Sequence, residues 1–247
     1  MATLILVRHG RTSANVAGVL AGRSPGVHLD DAGREQARQV GERLSALSVA
    51  RLVTGPLERT VETGRAIARA QRAELRLRRD RGLTECGYGT WTGRAIKDLA
   101  KEPLWRSVQA HPSGVTFPDG ESMADMVHRA VATVRLHDSQ VADEHGSDAL
   151  WVAVSHGDVI KAILADALGL HLDQFQRIVV DPASVSVVRY TAHRPFVLHV
   201  NDHGNDLSGL QPPPRKRRRG RRSAAVAEAD SDAVPGGGAG PSTTPAA

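Results

Sequence analysis

The chain has 247 residues, enough for one large domain or two small ones around a substantial core. Apolar residues make up 40% and charged residues 24%, while aromatics are 3%, which argues against base-stacking platforms for single-stranded nucleic acid. The formal charge of +5 belongs to the tail: residues 209–247 hold seven Lys/Arg against three Asp/Glu, leaving 25 against 24 in the rest.

In chain order, Leu4 to Val7 reads as a buried strand, and Asp30 or Asp31 caps a helix with Ala37, Val40, Gly41, Leu44 and Leu47 on one stripe. Arg51 to Gly55 is a short strand, with Pro56 in the first turn of a helix that runs to about Gln71. Leu75 to Leu77 is a third strand, Gly82 to Gly93 a glycine-punctuated loop, and Ile96 to Val108 a stretch of shorter helices. A long helix starts near Glu121, with Met123, Met126, Val127, Ala130 and Val134 as its core stripe. Ala149 to Ser155 is a second buried strand, Asp158 to Leu168 a helix, and "SVSVVRY" and "FVLHV" late strands, the second at an edge. This alternation predicts an α/β fold: a three-layer α/β/α sandwich on a mostly parallel sheet.

A composition break near Ser208 divides residues 1–208, a catalytic domain, from 209–247, where Pro, Gly, Ala and Ser dominate. Such a segment buries too little apolar surface to offset its chain entropy and is expected to be disordered. Its basic run, 215–222, reads first as a solvated tail, with contact to RNA, DNA or anionic lipid through counterion release as the alternative. No apolar run is long enough to span a membrane, and the N-terminus lacks the basic and apolar regions of a signal peptide. The single cysteine, Cys86, leaves no internal disulfide and no Cys-rich metal site. A cytoplasmic protein is the expectation.

Two buried strands end alike, in Arg8-His9-Gly10 and in Ser155-His156-Gly157. In open α/β sheets ligands bind beyond the carboxyl ends of strands, so both histidines fall at the expected site, the second at a helix N-terminus that favours an anion. Arg59 enters the first turn of a helix after a short strand, and Glu85 sits in the glycine-rich loop. Two His, two Arg and one carboxylate suit phosphoryl transfer. Guanidinium forks bind phosphate oxygens, a neutral imidazole attacks phosphorus, the second imidazole donates to the equatorial oxygens, and a carboxyl protonates the leaving alkoxide. The side chains supply the cations, so neither metal nor other cofactor is called for. His199 and His203, four apart in a turn-rich segment, do not make a metal site.

The chain resembles the histidine phosphatase superfamily, the phosphoglycerate-mutase-like branch with the actinobacterial proteins often labelled "probable phosphomutase". The resemblance rests on five ordered motifs: Arg8-His9-Gly10 with Asn15; Pro56-Leu57-Glu58-Arg59 with Thr60 and Thr63; Glu85, Gly89, Trp91 and Gly93; Pro118-Asp119-Gly120-Glu121-Ser122; and Ser155-His156-Gly157. It implies that His9 is the transient phosphohistidine, that Arg8, Arg59 and His156 complete the phosphate pocket, and that Glu85 is the proton donor and then the base for water. It places Asn15 near the substrate and implies a small phosphorylated substrate; relatives are often dimers or larger, so a homo-oligomer stands beside a monomer as an open alternative. Gly10 and Gly157 permit close approach of the backbone, and Thr12 and Ser155 are either phosphate donors or capping and packing residues.

Three departures from the family's mutases favour a phosphatase. Cys86 follows Glu85 where mutases carry arginine, only 70 residues separate Glu85 from His156, and Asp158 follows Gly157 where mutases usually carry asparagine. A phosphomutase, and a phospho-ligand binding module tethered by the basic tail, are the alternatives. Trp105, Arg106, His111 and Phe117 are candidate cap residues over the pocket, and Cys86 is a candidate oxidation-sensitive thiol beside the acid.

Overall fold

A computed structural model describes residues 1–204, 234–238 and 240. Its single sheet has six strands: β1 (Thr3–Arg8), β2 (Val49–Thr54), β3 (Leu77–Arg79), β4 (Leu150–Ser155), β5 (Val185–Arg189) and β6 (Phe196–Asp202). Their spatial order is β3-β2-β4-β1-β5-β6. The first four run parallel, β5 pairs antiparallel with β1 and β6 antiparallel with β5, so the expected mostly parallel sheet is observed.

Strands β1 and β4 carry near-continuous apolar runs because both of their faces are covered. Leu4, Leu6, Trp151 and Ala153 face Met126 and Val134 of α6 (Met123–His145) and Ile160 and Ile163 of α7 (Gly157–Leu168). Ile5, Val7, Leu52, Val152 and Val154 face Val40 and Leu44 of α2 (Asp31–Leu44) and Ile67 of α3 (Glu58–Ala70). Period-two alternation along each strand thus sends side chains into two separate cores, giving the α/β/α layering.

Register decides where the chemistry lands. β1 and β4 are neighbours paired Val7 to Val154 and Arg8 to Ser155, so the next residues, His9 and His156, leave the sheet side by side. The His9 N–H donates to the Ser155 carbonyl at 3.0 Å and carries the ladder one step beyond β1.

Local departures from expectation have local causes. The helix foreseen after Pro56 starts at Glu58 with Leu57 as its N-cap, so Pro56 stands before the helix rather than in its first turn. The third strand lies at Leu77–Arg79 because Leu52 pairs with Leu77. The stretch after Gly10 contains a short helix, α1 (Ser13–Ala17), fixed by a capping box. Ser122 caps α6, so Glu121 lies outside it.

Among the described residues no helix is long and apolar enough to cross a membrane. The expected disorder of 209–247 and the basic run 215–222 fall outside the described residues, except for Val234–Gly238 and Gly240. That short segment lies against the carboxyl end of β1 and the start of α7, through hydrogen bonds to Arg8 and Asp158.

Candidate active site

His9, at the end of β1, is 3% exposed. Its Nδ1 lies 2.8 Å from the Gly10 carbonyl, which can only accept, so Nδ1 carries the proton and Nε2 keeps its lone pair. Arg59 Nε donates to that Nε2 at 3.3 Å. Burial, followed by the positive charges of Arg59 and Arg8, holds the His9 imidazole well below the usual histidine range, with only the Gly10 carbonyl opposing. His9 is therefore a neutral, directed base at ordinary pH. Gly10 is required for the approach of α2: a Cβ there would meet the Gly33 carbonyl oxygen at 2.4 Å.

His156 is the N-cap of α7 and fully buried. Its ring lies edge-on to that of His9, with centroids 5.2 Å apart. Burial, followed by Arg59, His9 and Arg8, holds it well below the usual range as well. Its Nδ1 is 3.8 Å from Glu85 Oε2, too far for a hydrogen bond, and with the imidazole neutral the two do not form an ion pair.

Arg8 and Arg59 supply the cations. Arg8 is anchored by Nη1 on the Val180 carbonyl at 2.8 Å, and Arg59 by Nη2 on the Gly22 carbonyl at 2.7 Å. Arg8 Nε, Arg59 Nη1 and both ring nitrogens of His156 are buried without a hydrogen-bond partner among the described residues. Buried donors left unpaired are costly, and the two guanidinium N–H groups with the single N–H of the neutral His156 ring are what an oxyanion would satisfy.

Glu85 is 3% exposed, with Oε1 accepting the Cys86 N–H at 2.9 Å. Burial, and then the charge of Asp158, raises its pKa to about 7, although Arg59, the Cys86 amide and Arg8 pull the other way. It can thus be protonated near neutrality and can also release that proton, as a general acid and base must.

The structure brings His9, His156, Arg8, Arg59 and Glu85 together. The other expected residues have local partners of their own. Thr12 and Asn15 form the capping box of α1: the Thr12 hydroxyl accepts from the Asn15 N–H, while Asn15 Oδ1 accepts from the Thr12 N–H and hydroxyl. Ser155 donates to the Leu83 carbonyl at 2.8 Å, a packing role. Gly157 begins α7. Of the candidate cap residues, Phe117 is buried edge-on to Tyr88, Trp105 stacks on Trp91, and His111 pairs with Asp173. Cys86 is buried 4.0 Å from Met123 Sδ, and burial pushes its thiol well above the usual range, which disfavours the thiolate.

Several site residues escaped sequence reasoning. Tyr88 donates to Asp158 Oδ2 at 2.7 Å, behind Glu85, although Asp158 directly follows the second His-Gly pair. Arg129 donates to the carbonyls of Gly82, Thr84 and Glu85, Arg23 donates to the Glu85 carbonyl, and Glu121 accepts from both arginines. Glu121, read as a helix-start residue, is the anion at the centre of this clamp. Thr63 accepts the Gly10 N–H at 3.1 Å and fixes the turn after His9.

Comparison with known proteins agrees with this geometry. Residues 4–203 match the family described as histidine phosphatase superfamily (branch 1). A probable phosphoglycerate mutase GpmB of Proteus mirabilis is 33% identical over 193 residues, 77% of this chain and 86% of that protein. Phosphoserine phosphatase 1 of Hydrogenobacter thermophilus is 30% identical over 204 residues, 81% of this chain and 92% of that protein. Among solved structures, YhfR of Bacillus stearothermophilus superposes with a TM-score of 0.74 at 26% identity, covering 83% of this chain and 98% of its own. A mycobacterial glucosyl-3-phosphoglycerate phosphatase in complex with VO3 superposes with a TM-score of 0.71 at 25% identity, covering 81% and 98%.

Proposed function

The chain belongs to the histidine phosphatase superfamily (branch 1), and from that membership we propose a metal-independent phosphomonoester hydrolase working through a phosphohistidine on His9. One observation carries the reading: His9 Nε2 is held as a free base beside Arg59, within the same buried cluster as a carboxyl whose pKa is about 7.

The steps follow from the geometry. A phosphomonoester dianion is held by Arg8, Arg59 and His156, whose unpaired donors it satisfies. His9 Nε2 attacks phosphorus in line with the ester oxygen, and the P–O bond breaks as the N–P bond forms. Protonated Glu85 gives its proton to the departing alkoxide and becomes a carboxylate. That carboxylate then takes a proton from water as the water oxygen attacks the phosphohistidine, returning His9, inorganic phosphate and protonated Glu85.

Relatives are named both mutase and phosphatase. Hydrolysis is favoured because Cys86, next to the acid, turns into the core against Met123 and offers no cation to a substrate carboxylate. The substrate is a small phosphomonoester encountered in the cytoplasm. A homo-oligomer and a polyanion contact through 215–222 rest on resemblance and charge alone. The test is a panel of aryl and alkyl phosphates with wild type and His9→Ala. Turnover unaffected by EDTA, inhibited by vanadate and lost in His9→Ala is expected. Wild-type turnover in His9→Ala contradicts the mechanism. Interconversion of 2- and 3-phosphoglycerate that depends on a bisphosphate primer establishes a mutase instead.

A further inference from the structure

Residues 205–233 separate Gly204 from Val234-Pro235-Gly236-Gly237-Gly238, yet this short segment sits in the phosphate pocket. Arg8 Nη2 donates to the carbonyls of Gly236 at 3.1 Å and Gly237 at 3.3 Å. The Gly236 N–H donates to Asp158 Oδ2 at 2.9 Å, on the same oxygen that accepts from Tyr88. The Gly237 N–H closes a turn on the Val234 carbonyl at 2.8 Å.

The glycines are needed for this fit. Gly236 and Gly237 have φ of +78° and +73°, values that side-chain-bearing residues rarely adopt. A Cβ on Gly237 would stand 2.9 Å from Arg8 Nη1, and one on Gly157 would stand 2.9 Å from the Gly236 carbonyl oxygen. A Cβ on Gly236 would lie 3.2 Å from Leu20 and 4.0 Å from Glu85 Oε2, so the segment passes between the cation and the acid of the site. With the segment in place, Arg8 and His156 are fully buried, Arg59 is 2% exposed and His9 3%. The segment takes up the side of Arg8 that a phosphomonoester would use.

We propose that the catalytic pocket is also a binding site for the peptide backbone of this chain's own Val234–Gly238, which competes with the phosphoryl group for Arg8. The inference rests on the reading of this pocket as the phosphate site. The chemistry makes the segment a displaceable competitor. Peptide carbonyls satisfy guanidinium donors but carry no net charge, whereas a phosphate dianion attracts Arg8 and Arg59 beyond what Glu85 and the other acidic side chains near them supply. The segment therefore holds the pocket closed when phosphate esters are scarce and yields as their concentration rises. Apparent substrate affinity falls in proportion to the fraction of open pocket.

The test uses the full chain with Gly236→Val and Gly237→Val together, which removes the backbone geometry and drives a Cβ into Arg8. Binding of inorganic phosphate is measured by calorimetry and KM with p-nitrophenyl phosphate. The variant is expected to bind phosphate about tenfold more tightly and to show a KM lower by about the same factor, at unchanged kcat. A synthetic Val-Pro-Gly-Gly-Gly peptide added to the variant is expected to inhibit competitively. Phosphate affinity within about twofold of wild type overturns the proposal. Phosphate binding needs no turnover, so this result is decisive even where neither protein hydrolyses the ester, an outcome that would instead count against the proposed reaction. In the unaltered protein, saturating phosphate is expected to speed hydrogen exchange at the Gly236 and Gly237 amides, and unchanged exchange overturns the proposal as well.

Discussion

His156 Nδ1 stands 3.8 Å from Glu85 Oε2, a neutral imidazole facing a carboxyl that shares its burial without pairing with it. An ion pair here would fix Glu85 as a carboxylate. Its absence leaves the pKa to burial and Asp158, which lift it to about 7.

The first consequence is a pH profile. Phosphoryl transfer needs Glu85 protonated, so kcat/KM is expected to fall about tenfold per pH unit above roughly pH 7. On the acid side the pKa of His9 is depressed, so the free base persists well below the ordinary histidine range and activity holds at mildly acid pH. Glu85→Gln removes the basic limb and costs most with poor leaving groups such as alkyl phosphates. A basic limb that persists unchanged in Glu85→Gln contradicts the assignment.

The same shift affects stability. The Glu85 carboxyl has an ordinary pKa of 4.5 and a folded pKa of about 7, so the folded state holds its proton more tightly. Raising pH from 4.5 through 7 therefore destabilises the fold, and the full penalty is present above 7. Glu85→Gln escapes it. Its stability advantage over wild type in urea unfolding is expected to grow by about 2–3 kcal/mol between pH 5 and pH 8.5. A pH-independent difference excludes a strongly raised pKa.

Arg129 positions the acid rather than touching substrate. It donates to the Gly82, Thr84 and Glu85 carbonyls and is itself held by Glu121. Arg129→Ala is expected to lower kcat by about ten- to a hundredfold, with little change in KM. It also moves the basic limb to lower pH, as the loosened loop lets water reach Glu85. Arg129→Lys restores only part, because an ammonium cannot replace the planar fork. A loss of thermal stability with an unmoved pH profile indicates a structural role alone.

Cys86, beside the acid in sequence, is buried with its thiol pKa raised, first by burial and then by Glu85. Iodoacetamide is expected to leave the folded protein unlabelled, and brief peroxide treatment to leave activity intact. Rapid inactivation by either, prevented in Cys86→Ala, shows a thiolate at this position.

These outcomes bear on what sequence alone makes legible. His9 and His156 are readable because each ends an apolar run that can only be a buried strand, and the parallel register of β1 and β4 makes them neighbours. Arg59 and Glu85 are readable from turn residues and spacing. Asp158 and Tyr88 are not, since their partnership spans 70 positions and neither breaks the pattern of its own element. Thr12 and Asn15 show another limit: their side chains suit a phosphate contact, but the capping box they form on α1 through Asn15 Oδ1 does not stand out in the sequence. Composition marks Val234–Gly238 as chain without a core, and its contacts are made by backbone atoms, which periodicity does not register.

The central claim is that phosphoryl transfer passes through His9 Nε2. Rapid acid-free quenching of the enzyme with p-nitrophenyl phosphate, followed by proteolysis and mass spectrometry, tests it directly. The account predicts a phosphoryl adduct on His9 that forms within one turnover, decays on dilution into water, accumulates when Glu85→Gln slows its hydrolysis, and is absent from His9→Ala. Steady turnover with no adduct on His9, or an adduct on another residue that forms and decays at the catalytic rate, contradicts it.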